Sequence, residues 1–163
     1  MTMPIQKPGK SEQIVGTPRA FLDAVEERFG KMTFDLAATR ENAVCGDGDG
    51  DSHFGPGSAL ASDSLLADWD QVDGNLWLNP PYAKIGPWAA KCAGTNTRLG
   101  ERAILMLIPL TTANYALEWI YPYALVLGLN PRVQFVGHSI GFPKDLMLCC
   151  YGFKPGFETW KWK

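Results

Sequence analysis

A short apolar stretch that ends in two consecutive prolines constrains the fold of this chain most strongly. Leu76-Trp77-Leu78 has the composition of a buried β-strand, and it runs directly into Asn79-Pro80-Pro81-Tyr82. Because proline cannot donate a hydrogen bond within a central strand, the strand must end at this point. A buried strand followed by a rigid polar turn is typical of an α/β sheet, in which ligands bind beyond the carboxyl ends of the strands.

Hydrophobic periodicity divides the rest of the chain into alternating helices and strands. A helix is predicted to begin at Thr17-Pro18, with Thr17 as N-cap and Pro18 at the first helical position, and to end at Gly30. Further helices are predicted over 85–93 and 111–121. Strands are predicted over 32–36, 59–62, 76–78, 103–108, 124–127, 133–136 and 146–151. This order predicts an α/β fold with a mainly parallel sheet that ends in an antiparallel hairpin.

Length and composition favour a single soluble domain. The chain has 163 residues, of which 1–16 are predicted to be a flexible leader and 17–163 one domain. Four cysteines without a Cys-x-x-Cys pair and only two histidines argue against a disulfide framework or a zinc site. We find neither a membrane-spanning stretch nor a signal peptide, so a reducing cytoplasm is expected.

Several common site types are disfavoured by their missing motifs. The chain has no Gly-x-Gly-x-x-Gly fingerprint for nicotinamide or flavin, and no phosphate-binding Gly-x-x-x-x-Gly-Lys-Ser/Thr sequence. Asp47-Gly48-Asp49-Gly50-Asp51 resembles a calcium loop, but it lacks glycine at the sixth position and has Ser58 at the twelfth. We therefore predict an acidic loop here, within a loop region over 42–57, and no metal.

Charge leaves nucleic acid open as a partner. The net charge is −2, but residues 1–75 carry 6 Lys/Arg against 13 Asp/Glu, whereas residues 76–163 carry 9 against 4. The basic half begins at the strand that precedes Asn79. Phosphate contacts from that half and simple solvated lysines explain the asymmetry equally well.

The residues after this strand suit the methylation of a planar amine. The lone pair of such an amine is delocalised, so its two N–H bonds must be held by fixed acceptors. The Asn79 side-chain oxygen and the backbone carbonyl of Pro80, held rigid by Pro81, would provide them, and Tyr82 would offer a flat face to a flipped base. A proline-rich turn without a chemical role is the alternative. Trp88, close behind Tyr82, is a further candidate for stacking.

Two acidic residues follow predicted strands and are candidates for binding a cofactor. Asp35 ends the strand over 32–36 and precedes the small residue Ala37, and Asp63 follows the strand over 59–62. Carboxylates in these positions hold cationic or hydroxyl-bearing ligand groups, although each could instead cap a helix. With Asn79, they are expected to line one edge of the sheet.

Taken together, the chain resembles the phage-type DNA N-6-adenine methyltransferase (Dam-like) family. The resemblance rests on Thr17-Pro18, Asp35-Leu36-Ala37-Ala38, Asp63-Ser64-Leu65 and above all Asn79-Pro80-Pro81-Tyr82-Ala83-Lys84-Ile85-Gly86-Pro87-Trp88. It implies a Rossmann-like fold that uses S-adenosylmethionine and acts on double-stranded DNA.

The resemblance also implies a role for each matching residue. Thr17 and Pro18 would bind the methionine end of the cofactor, Asp35 its amino group or ribose, and Asp63 its adenine, with Ala37 allowing close approach. Asn79 and Pro80 would hold the target amine, and Asn79 would also contact the cofactor. Tyr82, Lys84 and Trp88 would contact the substrate. Apart from the resemblance, the sequence has no obvious separate target-recognition domain, so the loops around Lys84, 98–102 and 135–144 are expected to read the bases.

Other interpretations of the sequence stay open. The amine could belong to cytosine, to an RNA base or to a protein glutamine, and the chain could be an inactive module with a cofactor-binding fold. The sequence does not decide between a monomer and a homodimer. A role in restriction-modification, as a shield of phage DNA against host nucleases, follows from the family resemblance alone.

Overall fold

The computed structural model describes residues 15–46 and 52–163, which build one mixed sheet with helices on both faces. Along the chain the strands are β1 (Met32–Asp35), β2 (Asn75–Leu78), β3 (Ile104–Pro109), β4 (Ala124–Asn130), β5 (Leu146–Tyr151) and β6 (Gly156–Lys161). The helices are α1 (Arg19–Phe29), α2 (Gly86–Gly94) and α3 (Asn114–Trp119), and a 3₁₀ turn spans Trp69–Gln71.

Strand direction gives the sheet two chemically distinct edges. The spatial order is β1-β2-β3-β5-β4-β6, and β5 runs antiparallel to both of its neighbours, whereas the other pairs are parallel. The carboxyl ends of every strand except β5 therefore meet at one edge, which we call the carboxyl edge. The opposite edge is called the amino edge. The prediction of an α/β fold with a mostly parallel sheet is confirmed.

The predicted antiparallel hairpin takes a different form. β4 and β5 do pair antiparallel, but residues 131–145 separate them, so no tight turn joins the two strands. β6 follows β5 in the chain yet pairs with β4 in parallel. No strand was predicted at β6 because Gly156–Lys161 is an exposed edge strand of mixed polar and aromatic residues rather than an apolar run.

Alternating side chains of the central strands build two core layers. On one face, Trp77, Leu105 and Leu127 pack with Phe21 and Val25 of α1. On the other face, the neighbouring positions of the same strands pack with α2 and α3 through buried residues that include Leu76, Leu78, Met106, Ala89, Cys92 and Ala116. Strands β2, β3 and β5 are thus buried on both sides, as expected of central strands in a sheet covered by helices.

The first helix begins one residue later than predicted. Pro18 is its N-cap, and the Pro18 carbonyl accepts from the amides of Phe21 and Leu22. The prediction that Thr17 is the N-cap was wrong, since Thr17 lies outside the helix. The predicted end is confirmed: the amide of Gly30, which has a φ of 90°, donates to the carbonyl of Glu26. This positive φ favours glycine.

Two predicted strands are absent from the described part of the chain. Residues 59–62 form bends because the Ser58 hydroxyl accepts from the amides of Leu60 and Ala61, which removes donors that a strand would need. Residues 133–136 alternate between buried and exposed side chains as a strand does. Their backbone hydrogen bonds go to loop residues and not to a strand. The Val136 amide donates to the Gly16 carbonyl oxygen, and the Val133 carbonyl oxygen accepts from the Phe142 amide.

The described residues also bear on the site types considered above. All four cysteines are buried and unpaired. No cluster of three or more His, Cys, Asp or Glu residues suited to a metal ion occurs within 15–46 and 52–163. In the same ranges, no helix combines the length and the apolar composition needed to cross a membrane. Asp47 to Asp51 and most of the predicted leader lie outside the described residues.

Candidate functional site at the carboxyl edge

A cleft of about 530 Å³ opens at the carboxyl edge, beyond the ends of β1 and β2. Its volume lies within the roughly 300–1,000 Å³ of small-molecule sites. Three of the predicted cofactor residues, Ala37, Asp63 and Asn79, share this cleft with Pro81 and Trp88. The remaining wall is formed by Ala38, Thr39, Asn42, Phe54, Gly55, Pro56, Ser62 and Ser64. Aromatic faces beside a carboxylate suit a ligand with a flat ring and hydroxyl or ammonium groups.

Asp35 supports the wall of the cleft from behind. Its carboxylate is buried and accepts from the backbone amides of Ala37 (3.1 Å) and Val44 (3.2 Å), which fixes the loop that follows β1. Burial raises the pKa of Asp35 to about 6, because desolvation of the carboxylate outweighs these two hydrogen bonds. Asp35 is not itself among the residues that line the cleft.

Asp63 lies on a loop that is fastened to α2. Its Oδ1 accepts from the Leu65 amide at 3.0 Å, and its side chain is exposed at the cleft. Lys91 of α2 donates to the carbonyl oxygens of Leu65 (2.9 Å) and Ala67 (2.6 Å). The predicted strand before Asp63 is absent, and these hydrogen bonds instead fasten the loop that carries Asp63 into the cleft.

Trp88 is held in the cleft wall by a second tryptophan. The rings of Trp88 and buried Trp69 are stacked with centroids 6.3 Å apart, and Lys91 Nζ lies 5.0 Å from the Trp69 ring centroid. Trp69 Nε1 donates to the carbonyl oxygen of Ser64 at 2.9 Å, which links the ring pair to the Asp63 loop. This packing presents a fixed aromatic surface to the cleft.

The amide of Asn79 has a defined orientation. Its nitrogen donates to the carbonyl oxygen of Val15 (3.3 Å) and to Thr17 Oγ1 (3.5 Å). Its oxygen accepts from the Tyr82 hydroxyl at 3.0 Å. Because a carbonyl oxygen has two lone pairs, Oδ1 retains the capacity to accept a second N–H donor.

Tyr82 contacts Asn79 and a distant loop. Its ring meets Phe142 edge to face, with centroids 5.6 Å apart. Burial raises the pKa of Tyr82 above its usual range, so its hydroxyl is a donor at neutral pH. Asn79 lines the cleft, whereas Pro80 and Tyr82 do not. Both residues follow Asn79 closely in the turn after β2.

The remaining predicted site residues lie outside the described cleft. Thr17 is buried, with its hydroxyl directed at Asn79, and Pro18 caps α1. Lys84 is exposed just before α2, on the same edge of the sheet. The loop over 98–102 precedes β3, so it lies at the amino edge, where Arg102 donates to the carbonyl oxygen of Trp69.

Sequence reasoning missed the loop that forms the far wall of the cleft. Phe54 packs edge to face on Phe34 with centroids 4.7 Å apart, and its amide donates to the Asp35 carbonyl. Gly55 has a φ of 136°, and a Cβ there would lie 2.0 Å from the carbonyl oxygen of Ala38. A glycine next to an aromatic residue in a polar region was the available signal, but nothing local linked it to the strand that ends at Asp35.

Two comparisons with known proteins identify the family of this chain. The family model described as DNA N-6-adenine-methyltransferase (Dam) matches residues 6–144, which include every residue of the cleft. The chain belongs to the Dam family. Among similar proteins, the DNA N-6-adenine-methyltransferase of Escherichia phage T1 is 30% identical over 77 residues. That alignment covers 47% of this chain and 28% of the Dam relative's length. No solved structure matches.

Proposed function

We propose that this member of the Dam family is an S-adenosylmethionine-dependent enzyme that methylates the exocyclic N6 amine of adenine in double-stranded DNA. The observation that carries the proposal is the shared cleft: Asp63 and Trp88, suited to a cofactor, lie in the same cleft as Asn79, suited to an amine. Membership of the family and the resemblance to the phage T1 protein support DNA as the substrate class.

The residues of the cleft fit S-adenosylmethionine. Phe54 and Trp88 offer aromatic faces to a purine ring, and Asp63 offers a carboxylate to an amine, an ammonium or a hydroxyl group. Ala37 and Ala38 leave room where larger side chains would fill the cleft. Bound there, S-adenosylmethionine would supply a methyl group activated by its sulfonium. The six-stranded sheet that carries this cleft would then be the Rossmann-like fold that the resemblance implies.

The chain itself would contribute fixed hydrogen-bond acceptors and position. Asn79 Oδ1 and the carbonyl oxygen of Pro80 would accept the two N–H bonds of the target amine and localise its lone pair. The bonds from the Asn79 amide nitrogen to Val15 and Thr17 keep Oδ1 from exchanging places with Nδ2. The methyl group would form a bond to the amine nitrogen as its bond to the sulfonium sulfur breaks, so the positive charge would move to the nitrogen, which would then lose a proton to solvent. The two acceptors would stabilise this developing charge on the amine.

Tyr82 would stack on an adenine that has left the duplex. Its ring lies next to Asn79, and its hydroxyl already contacts Asn79 Oδ1. An incoming amine would use the second lone pair of that oxygen or replace the hydroxyl. Aromatic stacking of this kind is worth about 1–3 kcal/mol per base.

A methyl-transfer assay with three acceptors tests the proposal. In three separate reactions, the purified chain is incubated with radioactive S-adenosylmethionine and one acceptor: double-stranded DNA, RNA or a protein mixture. Labelled DNA is then digested to nucleosides. Label in N6-methyladenine from DNA is expected. Label in N4-methylcytosine, in RNA or in glutamine would show that the substrate is one of these and not adenine in DNA. Cofactor binding without transfer would indicate a binding module.

A further inference from the structure

The long loop between β4 and β5 (residues 131–145, the β4–β5 loop) is the strongest candidate for a further role. We propose that this loop reads the bases around the target adenine, with Gln134 and Val136 as the contacting side chains. The inference rests on the proposed methyltransferase function. Loops of this length without regular structure are uncommon in small domains and are often functional.

The loop is built into the body of the protein. Val133, Phe135 and Phe142 are buried in the core layer that faces α1. The amide of Phe142 donates to the carbonyl oxygen of Val133, and the rings of Phe135 and Phe142 pack edge to face at 5.7 Å. These contacts preorganise the backbone of the loop, so the positions from which its outward side chains project are set before any ligand binds.

The loop touches the site at two points. Phe142 contacts the ring of Tyr82, and the Val136 amide donates to the carbonyl oxygen of Gly16 at 3.0 Å. Gly16 lies between Val15 and Thr17, the two residues that accept from the Asn79 amide. A base held at Asn79 and Tyr82 would therefore have its neighbours in the duplex next to this loop.

The outward side chains have the chemistry of base recognition. Gln134 is exposed, and its Nε2 donates to the His138 carbonyl oxygen at 2.8 Å. Its oxygen and second N–H can still pair with a base edge, a pattern by which glutamine recognises adenine. Val136 is 61% exposed, and an apolar side chain there can contact a thymine methyl group or enter a base step.

The basic loop over 98–102 lies at the wrong edge for this role. Arg98 and Arg102 line a polar pocket at the amino edge with Asp70, Asp73, Asn96 and Glu101. The Arg102 guanidinium donates to the carbonyl oxygens of Trp69 and Asp70, so it is engaged within the protein. This loop therefore provides matched control positions: Arg98 is an exposed polar residue and Leu99 a 71% exposed apolar residue, both remote from Asn79.

The test compares sequence preference between variants of the two loops. The full chain, Gln134→Ala, Val136→Ser, Arg98→Ala and Leu99→Ser each methylate a DNA pool with one adenine between randomised flanks, and methylated molecules are sequenced. We expect at least one of the two β4–β5 loop variants to change the preference at a flanking position by about five- to hundredfold, which is the range expected for one lost base contact. The control variants should keep the parent preference. Thermal unfolding and cofactor titration confirm that each variant is folded and loaded.

Each other outcome overturns the proposal. An unchanged preference in both β4–β5 loop variants, or a uniform loss of rate without a change in preference, would show that the loop does not read bases. The same holds if the parent methylates adenines without any flanking preference. A parent that transfers no methyl group to DNA would instead refute the proposed function, and the reading role with it.

Discussion

The two edges of the sheet carry similar side chains but use them differently. At the amino edge, Arg102 and Asn96 donate to groups of Asp70, so the polar groups pair with one another and fasten loops. At the carboxyl edge, Asp63 and Asn79 stand in a cleft whose wall is largely apolar and aromatic. Asp63 and Asn79 also make hydrogen bonds within the protein, but each retains acceptor capacity at the cleft that a ligand can use.

Removal of the Asn79 side chain should have the largest effect on activity. We expect Asn79→Ala to lower methyl transfer about a hundred- to thousandfold, because one of the two fixed acceptors of the amine is lost, and single acceptors or donors of this type are worth about 10²–10³ in rate. The loss of contacts to Val15 and Thr17 adds to this effect. Single-turnover transfer of radioactive methyl measures it.

The matched amino-edge variant is Asn96→Ala. It removes an amide that contacts Asp70 and should leave the transfer rate unchanged. Cofactor affinity should largely persist in Asn79→Ala. Near-normal transfer by Asn79→Ala would remove Asn79 from the mechanism and with it the distinction between the two edges.

The buried carboxylate at the carboxyl edge should make stability depend on pH. The pKa of Asp35 is about 6 in the folded chain and about 4 in an unfolded one, so the folded state holds the proton more tightly. Stability should fall by up to about 3 kcal/mol as the pH rises from about 4 to about 6, and this contribution should then stay constant. Urea unfolding between pH 4.5 and 7.5 measures the change.

One variant isolates that contribution. Asp35→Asn cannot titrate, so the difference in stability between the parent and this variant should change with pH in the stated window. A difference that does not change with pH would contradict the raised pKa of Asp35.

Asp63 should control cofactor affinity. A hydrogen bond to a charged group contributes about 1.5–3 kcal/mol, so Asp63→Ala should weaken S-adenosylmethionine binding about ten- to hundredfold. Calorimetric titration gives the dissociation constant. Asp73→Ala, at the amino-edge pocket, serves as control and should bind as the parent does. Equal loss in both variants would indicate a general charge effect instead of a site.

The smallest effect is expected for Tyr82→Phe. This change removes the hydroxyl that contacts Asn79 Oδ1 but keeps the stacking face and the contact with Phe142. We expect a change of only a few fold in the maximal rate, whereas Tyr82→Ala should lose about 1–3 kcal/mol of base stacking. If both variants lost the same activity, the hydroxyl and not the ring face would be the important group.

Local patterns predicted the elements whose burial is continuous. Leu76 to Leu78 and the apolar residues over 103–108 and 146–151 gave β2, β3 and β5 nearly in full, since strands buried on both faces are apolar at every position. The prolines after Asn79 ended β2 where the structure ends it. The α/β fold and the placement of Asp63 and Asn79 at one edge of the sheet could therefore be anticipated, whereas Trp88 was predicted to contact the substrate and not to share a cleft with the cofactor residues.

Contacts between distant segments could not be predicted in the same way. The wall at Phe54 and Gly55 depends on hydrogen bonds to Asp35 and on a clash-free approach to Ala38. Residues 133–136 look like a strand because one side is buried, but their partners are Gly16 and Phe142 rather than a strand. The edge on which the 98–102 loop lies follows from strand direction, which no short pattern encodes.

A crystal structure of the chain with S-adenosylhomocysteine, the demethylated cofactor, tests the central claim most directly. We expect electron density for the compound in the carboxyl-edge cleft, between Phe54 and Trp88, with a hydrogen bond to Asp63 and its sulfur directed toward Asn79. Density in the amino-edge pocket beside Arg102, or in a carboxyl-edge position that leaves Asp63 and Asn79 without contact, would contradict it.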